Sequence, residues 1–427
     1  MKNFFIAILL TSTSISLTFA KPSTTSSVAA DNSASIPLKK IIVVESNNVY
    51  TSGKYKKLGL PKSLFEPQLL QLKDFVSRRI SFANAPDTEF LYKMMEWVSM
   101  RWEHDGKNAP PAGYSTFQIL QQAEKNKVQF RCQDYAQTLN DILLSYGFVS
   151  RVIGLQTSDV AYSTIGGGHV AVEVWSNTQS KWIYLDPQWA VYATLNTTPL
   201  NFAELAKLHL RDSLQYANFH VMPKVLQRST QDSATYMKEY YSFVTNYFGS
   251  MQVAINRNGL PQTLTLQMEN KQQYLTFQGL PANNVVFTSH HSDVYFDINR
   301  CTVLLSYMNN PAWNEVFDDI QTPDDYRKRL PKVAAKPEFA ISCDNSMPWF
   351  GYYMVRLNNN AWAKLGDSTY TTCSLQNGLN TIEAYCVNKA NREGTHTIMR
   401  IFYGTDAEYQ QFQTIGKLER RKENSSK

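Results

Sequence analysis

The spacing of apolar residues in the first 250 positions predicts a series of helices. Apolar side chains recur every three or four residues, the period at which they share one helix face. One of these segments begins at Cys132 and stops at Gly147, a residue type that commonly ends helices. Another is preceded by Ser115 with Gln118 three residues later, which fits a capping box. The other predicted helical segments are 66–80, 88–104, 116–126 and the helix-rich 200–247.

Two later segments alternate apolar and polar side chains, as strands do. In residues 169–175 the three valines share one face, which is expected to pack on the Cys132 helix, and His169 lies on the other face. In residues 182–186 Asp186 lies on the face away from the apolar side chains. A loop at 176–179 predicts a hairpin in which Trp175 pairs with Ser180 or Lys181. The symmetric register, with 175 opposite 180, sets His169 opposite Asp186, and a slip of one residue would move Asp186 to the wrong face.

Cys132, His169 and Asp186 together have the residue types that nucleophilic catalysis needs. A thiol needs a base to accept its proton, and the base needs a third group to hold its tautomer. A cysteine in the first turn of a helix is favoured as a thiolate, with a pKa below the roughly 8.5 of a free thiol. Each residue alone has an ordinary structural explanation, such as a small buried cysteine. Their order and their elements favour a catalytic triad.

These motifs resemble the transglutaminase-like superfamily, a branch of the papain-like cysteine acyl-transfer folds, over about Trp97 to Trp189. The matching segments, after a cysteine that begins a helix, are GFVSRVIG at 147–154, HVAVEV at 169–174 and WIYLDP at 182–187. Arg131 departs from the pattern, since the family usually has glycine before the cysteine. The resemblance implies an α+β catalytic domain and acyl transfer through a thioester, with the triad named above.

An oxyanion hole is a further requirement of acyl transfer. The backbone N–H of Cys132 is the expected first donor. In transglutaminases proper an upstream tryptophan supplies the second donor, which makes Trp97 and Trp102 candidates, although core packing is the favoured role for both. Gln129 is a third candidate.

The function expected from this resemblance is an exported cysteine peptidase or amidase, or a related acyltransferase, acting on amide bonds of peptides or proteins. Hydrolysis is favoured over cross-linking because bacterial members of the superfamily are more often hydrolases. The alternative is a catalytically inactive binding module that recognises protein or cell-wall glycan, and an intact triad argues against it. We expect a peptide or protein substrate and no cofactor or metal ion.

The N-terminus predicts export. Residues 1–20 contain one lysine, an apolar run and a final alanine, as in a secretory signal peptide, and residues 21–40 are predicted to be a disordered leader. The compact start is typical of a bacterial protein that is periplasmic or secreted. No later apolar run is long enough for a membrane span. A formal net charge of +6 over 427 residues, without a basic–aromatic motif, does not indicate nucleic-acid binding.

The five cysteines fit an oxidising compartment. Four of them can form two disulfides with three possible connectivities, which leaves Cys132 as the odd thiol. Their spacing does not resemble a zinc site. The four are Cys301, Cys343, Cys373 and Cys386.

The pattern divides the chain into a catalytic domain at 41–248 and β-rich segments behind it. From residue 251 the apolar runs become short and alternating, with an Asn258–Gly259 turn. We expect a β-rich domain at 249–330, an immunoglobulin-like β-sandwich at 331–408 and a polar, solvated tail at 409–427. Aromatic residues in this part could form a glycan-binding surface, although a β-sandwich core explains most of them. They are Trp313, Trp349, Phe350, Tyr352, Tyr353 and Trp362.

Overall fold

A computed structural model describes residues 37–51, 53–81, 87–158, 160, 167–257, 260–268, 276–277, 280–281, 284–308, 320–334 and 337–425. The predicted signal peptide, most of the predicted leader, the Asn258–Gly259 turn and Trp313 lie outside the described residues. The α-helices in the described part are α1 Pro67–Ser77, α2 Asp87–Ser99, α3 Thr116–Lys125, α4 Cys132–Ser145, α5 Phe202–Leu210, α6 Pro223–Ser229, α7 Ser233–Val244, α8 Pro323–Ala334 and α9 Asp406–Ser425.

Most of the strands lie in the C-terminal half of the described chain. Their bounds are β1 Lys40–Ser46, β2 Glu103–His104, β3 Gln129–Phe130, β4 Ser150–Gln156, β5 Gly168–Ser176, β6 Lys181–Leu185, β7 Val191–Leu195, β8 Thr198–Pro199, β9 Ala217–Val221, β10 Ser250–Arg257, β11 Leu260–Gln267, β12 Thr276–Phe277, β13 Leu280–Pro281, β14 Val285–Thr288, β15 Cys301–Tyr307, β16 Glu338–Asn345, β17 Phe350–Leu357, β18 Ala363–Leu365, β19 Thr371–Ser374, β20 Gly378–Asn388 and β21 Thr397–Gly404. The chain is therefore mixed α and β, with a β-rich remainder after the catalytic segment.

The helix that begins at Cys132 ends as its sequence predicts. Gly147 has φ +79 and lies just after α4, where its N–H donates to the carbonyl of Leu144 over 2.9 Å. The next N–H, of Phe148, donates to the carbonyl of Leu143 over 3.0 Å, which completes a Schellman motif. A Cβ at this position would also collide with Ala390, so glycine is required for two reasons. The predicted capping box at Ser115 and Gln118 is confirmed as well.

Two helical predictions were too long. The segment 88–104 is helical only to Ser99, and its last two residues form β2, which pairs parallel with β3. The N–H of Asp105 donates to the carbonyl of Phe130 over 2.9 Å, so this backbone bonds to a strand instead of continuing a helix. Within 200–247, β9 separates α5 from α6 because its residues pair with β7 and Pro223 then begins a new helix.

The segment that contains Cys132, His169 and Asp186 is built on a six-stranded sheet with the order β14-β11-β10-β4-β5-β6. One face packs on α4, where Val172 and Val174 join the core formed with Leu139. The opposite face carries Ala171 and Tyr184, which pack with residues of α5 and α7. The predicted packing of the valine face on the Cys132 helix is therefore confirmed.

The β5–β6 hairpin has a register that differs by two residues from the symmetric prediction. Trp175 lies opposite Trp182, and Ser176 lies opposite Lys181. The turn is 177–180, and Ser180 closes it in the left-handed conformation with φ +50. Because side chains alternate with a period of two, this shift leaves Asp186 on the face of His169, diagonally across the hairpin instead of directly opposite.

The sheets do not follow the predicted domain boundaries. Strands β10, β11 and β14 extend the catalytic sheet, because β10 pairs with the free edge of β4. Strand β1, expected in the catalytic domain, pairs with β21 at the other end of the chain. Consistent with these crossings, the chain from Leu38 onward forms one compact unit.

The remaining C-terminal strands form two antiparallel sheets over one apolar core. The orders are β1-β21-β20-β17-β18 and β15-β16-β19. Val303, Ile341, Tyr353 and Ile401 are buried between them. The predicted immunoglobulin-like topology remains a prediction. The C-terminal segment predicted as a solvated tail is partly packed. Helix α9 begins at Asp406, and the ring of Phe412 lies 5.2 Å from the ring of Phe402.

All five cysteines are free thiols in this structure. A hydrogen bond between the thiols of Cys301 and Cys343, together with burial, raises the pKa of Cys301. Because no disulfide is formed among these five described cysteines, the two predicted disulfides stay a prediction. Within the described ranges, no helix is both long and apolar enough to cross a lipid bilayer.

Candidate active site

The thiol of Cys132 lies at the N-terminus of α4. Arg131 is the N-cap residue, and its N–H donates to a carboxylate oxygen of Asp134 over 3.1 Å. Cys132 itself is partly exposed. The free N–H groups of a first helical turn carry partial positive charge, which favours the thiolate.

The imidazole of His169 lies beside this thiol at the start of β5. The side chain is 2% exposed. Its Nε2 atom is 2.9 Å from Oδ2 of Asp186, and the ring also forms a hydrogen bond with the thiol of Cys132. Because Nε2 faces the carboxylate, the thiol contact belongs to the other ring nitrogen, Nδ1. The structure therefore brings Cys132, His169 and Asp186 together, with the imidazole between the thiol and the carboxylate.

Asp186 is fully buried and held by several donors. Its Oδ2 atom accepts hydrogen bonds from the hydroxyls of Tyr240 over 3.2 Å and Tyr184 over 3.4 Å. Its Oδ1 atom accepts from the backbone N–H groups of Gln188 over 3.1 Å and Trp189 over 3.3 Å. A buried carboxylate is costly unless its oxygens are paired in this way. The donors fix the carboxylate at the position where it meets His169.

The electrostatics of the site favour an ion pair. Burial raises the pKa of Cys132, but hydrogen bonds from His104 and His169, the imidazole charge and the N–H of Val170 lower it to about 6. Burial lowers the pKa of His169, but the charge and hydrogen bond of Asp186, with the contact to Cys132, raise it to about 9. Between these values the thiol is ionised and the imidazole protonated. This charge state combines a nucleophile with a proton donor.

Aromatic rings from the segment after the hairpin cover the imidazole. The ring of Phe243, on α7, lies 4.8 Å from the ring of His169, and the ring of Tyr247 lies 5.6 Å away. The sequence predicts this segment as part of the catalytic domain but indicates no role for it at the site. The rings shield the His169–Asp186 hydrogen bond from water, which strengthens it.

Two further residues that contact the triad, His104 and Tyr240, were not predicted as part of the site. His104 forms a side-chain hydrogen bond with the thiol of Cys132. It was included in a predicted helix, and the parallel pairing of β2 with β3 that places it has no local sequence signal. Tyr240 lies 54 positions from Asp186. Its helical segment was predicted, but the face it presents to the hairpin was not.

Two of the predicted side-chain donors for an oxyanion hole, Trp97 and Trp102, are buried in the core. Trp102 is 4% exposed, and its ring packs on Phe130 at a centroid distance of 5.3 Å. Its Nε1 atom is buried and, in the described part of the chain, has no hydrogen-bond partner. Trp97 is buried in the same core, with the guanidinium of Arg101 over its ring. Core packing is therefore the observed role of both tryptophans.

The predicted aromatic surface of the C-terminal sheets is not a shared exposed face. Tyr353 is 1% exposed, and Nε1 of Trp349 donates to the carbonyl of Pro61 over 2.9 Å. The ring of Trp362 packs against Tyr385. Among the described residues, no group of three or more histidine, cysteine, aspartate or glutamate side chains is arranged to hold a metal ion.

A comparison with protein families agrees with the sequence pattern. Residues 74–187 match the family model of the transglutaminase-like superfamily. A comparison with curated proteins found no match. Two similar solved structures are a proposed cysteine protease from Cytophaga hutchinsonii and the transglutaminase of red sea bream.

The first of these is 13% identical, with a TM-score of 0.24, over 43% of this chain and 58% of the other protein. The second is 9% identical, with a TM-score of 0.24, over 87% of this chain and 77% of the other. The family match suggests acyl-transfer chemistry of the cysteine-enzyme kind. This similarity covers the segment 74–187, which includes Cys132, His169 and Asp186.

Proposed function

We propose that this protein is an exported, cysteine-dependent acyl-transfer enzyme that acts on amide bonds of peptides or proteins. One observation carries the proposal. The thiol of Cys132, with a pKa of about 6, forms a hydrogen bond with a buried imidazole whose pKa is about 9 and whose Nε2 lies 2.9 Å from Asp186. A purely structural cysteine is usually an inert, apolar-packed thiol whose pKa burial raises.

In the proposed reaction the thiolate of Cys132 attacks the amide carbonyl. His169 gives its proton to the leaving amine nitrogen, and a thioester remains on Cys132. Water or an amine then attacks this thioester, and His169 accepts the proton of the attacking group. Asp186 holds the imidazole in the orientation and tautomer that both steps require.

We propose hydrolysis over cross-linking as the second half of the reaction, on the strength of the resemblance to bacterial hydrolases of the superfamily. Export rests on the apolar run and small terminal residue of positions 1–20. It would place the enzyme in the periplasm or outside the cell, where peptides and proteins of the cell surface are available as substrates.

For the C-terminal sheets we propose an immunoglobulin-like sandwich that supports the catalytic helix. Nε of Arg392 donates to the carbonyl of Tyr146 over 2.6 Å, and Nδ2 of Asn388 donates to the carbonyl of Gly147 over 3.0 Å. These donors satisfy carbonyl groups just beyond the end of α4, which otherwise lack partners. Glycan recognition is not part of the proposal, because Tyr353, one of the aromatic side chains considered for it, is buried.

The test is the capture of a covalent intermediate. Full-length mature protein is mixed with p-nitrophenyl acetate, and intact mass is recorded together with release of p-nitrophenolate. We expect one acetyl group on Cys132 and a burst of one equivalent, both absent in Cys132→Ala. Added cadaverine should divert only a minor share of the acyl group to the amine. A burst that persists in Cys132→Ala would contradict the proposal.

A further inference from the structure

Strand β2 brings a second imidazole, that of His104, to the start of α4, and three groups lower the pKa of Cys132 there. They are the imidazole of His169, the N–H of Val170 and the imidazole of His104. We infer that His104 is a catalytic residue, the side-chain donor that stabilises the oxyanion formed when Cys132 attacks a carbonyl. This inference rests on the proposed function.

Strand pairing places His104 at the thiol. The two-residue strand β2 runs parallel to β3, with Glu103 opposite Gln129 and His104 opposite Phe130. Phe130 lies two positions before Cys132, so His104 reaches the start of α4 from the neighbouring strand. The hydrogen bond from Asp105 N–H to the carbonyl of Phe130, 2.9 Å long, closes this pairing on the far side of His104.

The backbone on the near side of His104 is held as well. The carbonyl of Trp102 accepts the hydroxyl of Tyr135 over 2.7 Å, and it also accepts Nη1 of Arg228 over 3.4 Å. Tyr135 belongs to α4, the helix that begins at Cys132. His104 is therefore tied both to β3 and to the catalytic helix, which is the support that a preorganised donor requires.

The other candidate donors do not share this position. Trp102 is 4% exposed, and its ring packs on Phe130. Gln129 is opposite Glu103, and because side chains alternate along a strand, it lies on the face of the β2–β3 ribbon away from His104. His104 is exposed, so a substrate carbonyl can reach it. An imidazole has at least one N–H donor in either protonation state.

Charge moves toward this donor during the reaction. As the bond between Sγ and the carbonyl carbon forms, the π electron pair of the carbonyl moves onto its oxygen, and the negative charge passes from sulfur to oxygen. The N–H of His104 donates a hydrogen bond to the thiolate before the reaction and to the neighbouring oxyanion once it forms. When the carbonyl re-forms, the bond from carbon to nitrogen breaks and His169 supplies the proton to the amine. The backbone N–H of Cys132 is the second donor.

The test compares two reactions of the same thiol. Iodoacetamide alkylation displaces iodide and forms no oxyanion, whereas acylation by p-nitrophenyl acetate passes through one. Both rates are measured above the alkylation midpoint of each variant, so that every thiol is ionised. In His104→Ala we expect acylation to fall about 100-fold or more, as for loss of one oxyanion donor, while alkylation stays within about threefold. His104→Gln restores an N–H donor and should therefore be acylated at least about tenfold faster than His104→Ala.

The matched control is His220→Ala, whose imidazole is bonded to Thr194 on β7 and should change neither rate. Acylation of His104→Ala within about threefold of wild type would overturn the inference. Equal losses in alkylation and acylation would also overturn it, since His104 would then act only on the thiol. If the wild-type protein shows no acylation that depends on Cys132, the proposed function itself fails, which is a separate outcome.

Discussion

Replacing Asp186 with asparagine tests what the carboxylate charge contributes to the Cys132–His169 ion pair. Asparagine keeps the size and one oxygen, which can still accept the N–H groups of Gln188 and Trp189. Its amide group would face Nε2 of His169 with a donor instead of an acceptor. The imidazole then loses its charged partner, and its pKa, which burial alone lowers, falls from about 9 to below its ordinary 6.5.

The size of the effect follows from the pKa of this fully buried imidazole. A rise from 6.5 to about 9 corresponds to roughly 3 kcal/mol between its two protonation states. A raised pKa in the folded state adds stability that is fully present below pH 6.5 and is lost as the pH rises through about 9. We therefore expect Asp186→Asn to lower the free energy of unfolding by about 3 kcal/mol at pH 6, where the stabilisation from the lowered pKa of Cys132 is still small.

The thiol responds in the same variant. Without the imidazolium the pKa of Cys132 should rise from about 6 toward its ordinary value of 9. At pH 7 the thiolate fraction then falls from about nine-tenths to about one-hundredth, so alkylation by iodoacetamide should slow by up to about 100-fold. Acylation by p-nitrophenyl acetate should fall further, because the tautomer is also wrong.

Urea unfolding at pH 6 and the pH profile of alkylation measure these effects. The control is Asp141→Asn, which alters a carboxylate on α4 that accepts Nε2 of Gln137 over 2.7 Å. It should leave the alkylation midpoint unchanged. A midpoint in Asp186→Asn within about 0.3 pH units of wild type would refute the role of Asp186, as would an equal shift in the control.

Two further predictions concern Tyr240 and the C-terminal cysteines. Tyr240→Phe removes a buried hydroxyl that donates to Asp186, so chemical unfolding should show a loss of about 1.5–3 kcal/mol and acylation should slow. Tyr236→Phe, which removes a bond to the carbonyl of Trp189, should lose about 1 kcal/mol and leave acylation unchanged; equal effects would contradict the distinction. If four cysteines pair after export, unfolded mature protein without reductant should take one alkylating group, on Cys132, and five after reduction. Five groups without reductant would show that no bridge forms.

Local sequence signals predicted the catalytic helix and the faces of the hairpin. The Schellman motif at Gly147 depends only on neighbouring residues, and the alternation around His169 and Asp186 survives a register shift of two. The register itself depends on the left-handed conformation of Ser180, for which the sequence gives no strong signal. The predicted four-residue loop, 176–179, is therefore placed one residue too early, and the observed loop is 177–180.

The parts of the site that the sequence did not predict come from distant segments. The placement of His104 depends on parallel pairing between 103–104 and 129–130, two short strands without an apolar run of their own. The contact of Tyr240 with Asp186 depends on how α7 crosses the sheet. Such contacts follow from tertiary packing, which local periodicity does not encode.

The central claim is that Cys132 is held as a thiolate by its neighbours. Its most direct test is the alkylation rate of Cys132 in the full mature protein between pH 4 and 10, with the labelled residue located by peptide mass spectrometry. The claim predicts a midpoint near pH 6, which reverts on unfolding to the value of a free thiol, roughly 8.5. A midpoint near 8.5 in the folded protein would contradict it.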